Sequence, residues 1–116
     1  MLLPAMNLYC QIMSALPEDW KTAIWQLGQS EPLISQIWVF GSRAKQTNHA
    51  QSDLDLAFFV AGENDGEAFG NWCFEAVGWQ AKLALLIPVE LHLHPAFSDD
   101  EIVMPAVIDH GIKIYP

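Results

Sequence analysis

Asp53 and Asp55, spaced i and i+2, and the pair Gly41 and Ser42, followed by Arg43 and Lys45, are the residues here whose types and spacing suit chemistry. In an extended strand, residues two apart point to the same face about 6–7 Å from one another, so the two aspartates present their carboxylates side by side. Unpaired, these groups repel. A hard cation resolves the repulsion, and Mg²⁺ prefers one or two carboxylates with phosphate oxygens completing its shell. Glycine at the junction of a strand and a helix lets a phosphate approach the backbone, where the N–H groups of the first helical turn make an anion site. Phosphate and metal chemistry is therefore the first expectation.

Net charge makes the placement of the basic residues informative. The chain carries 14 acidic and 5 basic residues, a formal charge of −9, and two of those five bases lie in the stretch that follows Gly41. General nucleic-acid binding is disfavoured, because it rests on Lys and Arg neutralising phosphates. At 116 residues, 52% hydrophobic and 16% charged, the chain reads as one domain, with N-terminal helices over 1–30 and a core carrying the site over 33–116. The surplus of apolar residues suggests a face for a partner, in a homo- or hetero-oligomer. Cys10 and Cys73 form no spacing motif and are expected to be reduced and buried. The apolar N-terminus has no basic n-region, and no long uninterrupted apolar run occurs, so a cytoplasmic protein without a membrane span is expected.

The elements that must position these groups follow from periodicity and end signals. Leu8, Ile12 and Leu16, with Met6, Cys10 and Met13, predict a helix over 5–16. A second begins near Pro17 and is expected to cap at Gly28, with Trp20, Ala23, Ile24 and Leu27 as its core face. Residues 33–40 (LISQIWVF) predict a buried strand running into Gly41 and a short helix over 42–48; residues 53–60 (DLDLAFFV) predict the next strand. Phe69, Trp72, Ala76, Trp79 and Leu83 recur at helical spacing over 67–85. Residues 86–94 alternate as a third strand with Glu90, His92 and His94 on one face. A helix starting near Ser98 and ending at Gly111, then a strand over 112–115, complete the chain. The fold class is α+β, a small mixed sheet with helices packed on one side. The five tryptophans read mostly as core, with Trp72 and Trp79 also candidates for a partner surface. His92 and His94 offer two ligands at strand spacing and invite a zinc reading, for which no third ligand lies close in sequence. His49 and His110 carry no assignment.

The strand, the GSRAK turn and the SDLDL segment together resemble the nucleotidyltransferase superfamily of DNA polymerase beta, in particular its minimal members, which pair as antitoxins with helical HEPN toxins. The resemblance implies that Gly41 and Ser42 bind the phosphates of ATP, with Arg43 and Lys45 either joining them there or pairing with surface acids, and that Asp53, Asp55 and a third acid, Glu90, are catalytic and hold two Mg²⁺ ions. The activity it implies is transfer of AMP to a hydroxyl on a HEPN-type partner protein. Two other readings stand beside it. One is an inactive module of the same fold that neutralises its partner by contact; the other is a small-molecule, antibiotic-modifying transferase. Relatives often read GSRARG where this chain has Lys45 and Gln46, so the turn after the short helix is expected to differ.

Overall fold

The structure, a computed structural model, describes residues 16–116. The helix expected over 5–16 and Cys10 lie outside that range, apart from Leu16. In chain order the elements are α1 (Glu18–Ser30), β1 (Ile34–Phe40), α2 (Ser42–Lys45), β2 (Leu54–Val60), α3 (Asp65–Ala84), β3 (Leu91–Pro95), α4 (Val103–His110) and β4 (Ile112–Tyr115). The four strands form one sheet in the order β3-β2-β1-β4. β1 runs antiparallel to β2 and β4, whereas β2 and β3 are parallel, so α3 is the crossover that a parallel pair requires.

The twofold alternation of the strands sorts their side chains onto two faces. On one, Ile37 and Val39 of β1, Leu54, Leu56 and Phe58 of β2 and Leu91 of β3 pack against Trp20, Ile24 and Leu27 of α1 and Trp72, Trp79 and Leu83 of α3. Phe58 stacks on Trp79 with ring centroids 5.6 Å apart. Each such fully buried side chain stabilises the fold by about 1.5–3 kcal/mol. On the opposite face, Trp38 and Phe40 of β1 and Ala57 and Phe59 of β2 meet Val103 and Val107 of α4. The α+β class with a small mixed sheet is as expected, but α4 adds a helix on the second face. Asp55, in step with Ala57, belongs to that second, thinly covered face.

Local chemistry explains where the observed elements depart from the expected ones. Gly28 does not end α1; the ring of Tyr115 occupies the space a Cβ would need there, and the helix continues to Ser30. α3 starts at Asp65 because the Asn64 side chain accepts the Glu67 N–H at 2.9 Å. The third strand begins only at Leu91. The N–H groups of Leu86 and Ile87 turn back to the Leu83 carbonyl, and Pro88 has no N–H to offer a ladder. Trp72 and Trp79 are core residues, and the apolar side chains that α3 exposes are instead Phe69, Phe74 and Val77, with Phe74 91% exposed. Cys73 lies exposed on that helix too, contrary to the buried thiol expected. Among the described residues no helix is long and apolar enough to cross a membrane.

Candidate active site

Strand pairing, and not sequence proximity, assembles the site. Phe40, the last residue of β1, pairs with Asp55 of β2, so Gly41 emerges beside the Asp55 carboxylate. Gly41 has φ 77° and ψ −156°, a region in effect reserved for glycine. A Cβ there would collide with Asp55 Oδ2, so the missing side chain makes room for the carboxylate. Ser42 then opens α2, and Lys45 is exposed at its end. α2 stops where Gln46 adopts φ 60°, ψ 34°, its N–H returning to the carbonyls of Ser42 and Arg43. The chain thus makes with glutamine a left-handed turn of the kind that glycine favours.

Arg43 is 3% exposed. Its Nε and Nη2 donate to the Ser52 carbonyl at 3.1 and 2.8 Å, Nη2 also donates to the Ala50 carbonyl at 3.2 Å, and the guanidinium lies 4.9 Å from the Trp20 ring centroid. Burial pushes its pKa down, with the charge of Asp53 opposing. A planar fork with several donors suits such a clamp. The phosphate contact expected of Arg43 is therefore not what this geometry offers. The side chain instead fixes the loop leading into Asp53.

On the parallel side, Asp55 pairs with His92 and Ala57 with His94, bringing both histidines to the face of Asp55. His92 Nδ1 lies 2.9 Å from Asp53 Oδ2 and 3.6 Å from Asp55 Oδ1, and His94 Nε2 lies 3.8 Å from Asp55 Oδ1. His94 also meets the Phe40 ring edge-on at 5.4 Å. Glu90 precedes β3, and its carbonyl accepts the Leu54 N–H at 2.8 Å. Its carboxylate is 77% exposed and bonds His92 Nε2 at 3.2 Å, on the far side of the ring from Asp53. Among the described residues, the group able to place one ligand atom each within 4.8 Å of the others is Asp53, Asp55 and His92. An imidazole thus stands where the third acid was expected, and Glu90 acts on it from outside.

Electrostatics follow from this crowding. Burial, and then the neighbouring charge of Asp53, push the Asp55 pKa up, while His92 and His94 oppose. His92 is pushed up chiefly by its hydrogen bond to Glu90, against burial and with help from Asp53. In its protonated form, His92 offsets the charge of the aspartates as a cation would. Two carboxylates on one face suit a hard divalent ion, and His92, once neutral, adds a nitrogen donor of the kind transition metals accept more readily than Mg²⁺.

A family model described as polymerase beta, nucleotidyltransferase, matches residues 23–115. The chain belongs to this family. This nucleotidyltransferase domain is also similar to several solved structures. A crystal structure of a toxin-antitoxin with AMP-PNP matches at 24% identity with a TM-score of 0.62, over 81% of this chain and 71% of that one. A tri-AMPylated Shewanella oneidensis HEPN toxin in complex with MNT antitoxin matches at 21% identity with a TM-score of 0.54, over 82% and 68%. A further structure from Shewanella oneidensis matches at 15% identity with a TM-score of 0.56, over 84% and 70%. At these identities the likeness establishes the fold of the nucleotidyltransferase domain. No curated protein matches it.

Proposed function

We propose that this domain is a minimal nucleotidyltransferase that transfers AMP from ATP to a hydroxyl of a HEPN-type toxin protein, and that it acts as that toxin's antitoxin. The observation that carries the reading is the contact of Gly41 with Asp55, which sets a glycine-serine turn against a carboxylate pair on adjacent strands. The Ser42 hydroxyl and the amides of its turn bind the phosphates, with Lys45 at the rim, while Arg43 holds the loop that presents Asp53. Asp53 and Asp55 hold Mg²⁺, with His92 or Glu90 completing the set. When bound, the ion supplies positive charge to the phosphates and acidifies the acceptor hydroxyl. The acceptor oxygen bonds to the α-phosphorus as pyrophosphate leaves in line. Structures of a toxin-antitoxin with AMP-PNP and of an AMPylated HEPN toxin with its MNT antitoxin support the choice of nucleotide, acceptor and partner.

A second reading, contact neutralisation without catalysis, draws support from the outward Glu90 carboxylate and the ion pair between His92 and Asp53. Labelled ATP, Mg²⁺ and the candidate toxin separate the two. Label on the toxin with wild-type protein, lost in Asp53→Asn and in Asp55→Asn, is the expected result. A toxin that is inhibited but unlabelled would sink the transferase reading and favour contact, and label on a small acceptor without any partner would favour a small-molecule transferase.

A further inference from the structure

His110 lies far from the aspartates in sequence, yet its Nε2 accepts the Gly41 N–H at 2.9 Å. We propose that His110 is a positioning residue for the phosphate turn: its ring holds Gly41 in the conformation that leaves room for Asp55. The inference rests on the nucleotidyltransferase reading for its functional consequence.

The tautomer follows from the donors. Because the backbone N–H of Gly41 must donate, Nε2 is the lone-pair nitrogen and Nδ1 carries the hydrogen. Nδ1 lies 3.1 Å from Asp109 Oδ2, which accepts that hydrogen. Asp109, His110 and Gly41 thus form a directed chain of hydrogen bonds, and the ring in its middle is only 15% exposed.

The backbone of His110 is anchored on both sides to β1, the strand that ends just before Gly41. Before it, Val103 and Val107 of α4 pack with Phe40 of β1. After it, Ile112 of β4 pairs with Val39 of β1. Between them Gly111 donates its N–H to the Val107 carbonyl at 2.9 Å, and a Cβ on Gly111 would come within 3.1 Å of the Trp38 ring. The corner is pressed onto β1, so the imidazole has a fixed place relative to Gly41.

Glycine needs such a hold. Gly41 has no side chain to confine it, and many backbone conformations other than φ 77°, ψ −156° are open to it. One hydrogen bond of ordinary net strength changes the ratio of the competent turn to its alternatives by roughly three- to tenfold. Apparent affinity for a triphosphate scales with the population of that turn.

The test compares His110→Phe, which keeps a ring and removes the acceptor, with His110→Gln, whose amide oxygen can accept in place of Nε2. Two measurements are made on each protein: hydrogen exchange of the Gly41 amide by NMR, and the equilibrium Kd for ATP with Mg²⁺. The expected result is faster Gly41 exchange and a raised Kd, by up to roughly tenfold, in His110→Phe, with both largely restored in His110→Gln. Unchanged Gly41 exchange in His110→Phe overturns the proposal, as does an unchanged Kd. If the wild-type protein does not bind ATP with Mg²⁺, the parent reading fails, while the exchange data still decide whether His110 holds Gly41.

Discussion

Replacing Gly41 by alanine perturbs the site in two ways that a double-mutant cycle separates. The first is conformational: an L-residue at φ 77°, ψ −156° costs about 1–3 kcal/mol. The second is steric, because the new methyl meets Asp55 Oδ2, with Asp55 Cγ at 3.2 Å and Cβ at 3.4 Å. Forcing the carboxylate aside costs about 1–2 kcal/mol more. Gly41→Ala should therefore lower stability by about 2–5 kcal/mol, a fall in Tm on the order of 10 °C or more for a domain of this size. In an Asp55→Ala background only the Asp55 Cβ remains near, at ordinary contact distance, so the steric part vanishes and the conformational part stays. The expected coupling is about 1–2 kcal/mol. Thermal and urea unfolding of the four proteins, without metal, measure it. Strict additivity would refute the contact between Gly41 and Asp55, and a Gly41→Ala protein as stable as wild type would refute both parts.

Other perturbations test the supports of the site. Arg43→Met should destabilise by about 2–4 kcal/mol in urea unfolding, because the carbonyls of Ser52 and Ala50 lose a charged donor. Arg43→Lys should recover only part of that, since an ammonium lacks the fork; full recovery would argue against the clamp. Gln46→Gly should raise the urea midpoint, with a gain of about 0.5–1 kcal/mol, by relieving a left-handed glutamine; an unchanged or lower midpoint would deny that strain.

Much of the fold was legible because β1 and β2 announced themselves by composition and α1 and α3 by their period. The Asp53 and Asp55 pair, the Gly41–Ser42 junction and the terminal strand over 112–115 all stood out in sequence. Three features were not legible, each for a physical reason. The burial of Arg43 depends on a loop whose carbonyls happen to converge, and side-chain direction there leaves no periodic trace. The presence of His92 beside the aspartates depends on parallel register, which sequence alternation constrains only to one face and not to a partner. His110 was invisible because its bond is to a backbone N–H, and a backbone donor leaves no residue-type signature. The alternation of Glu90, His92 and His94 was the one available signal, and it grouped those three side chains before any register was known.

The pairing of Phe40 with Asp55 has a consequence for how this domain tolerates change in chain length. Because the ladder between β1 and β2 fixes where Gly41 and the aspartates stand, the number of residues looping between them is a free variable. Insertions near Thr47 or Asn48 would lengthen an exposed hairpin tip at small entropic cost. They would leave untouched the carbonyls of Ala50 and Ser52 that Arg43 grips. Sequence spacing between the two motifs is thus a poor ruler for this site, and hydrogen-bond register is the better one.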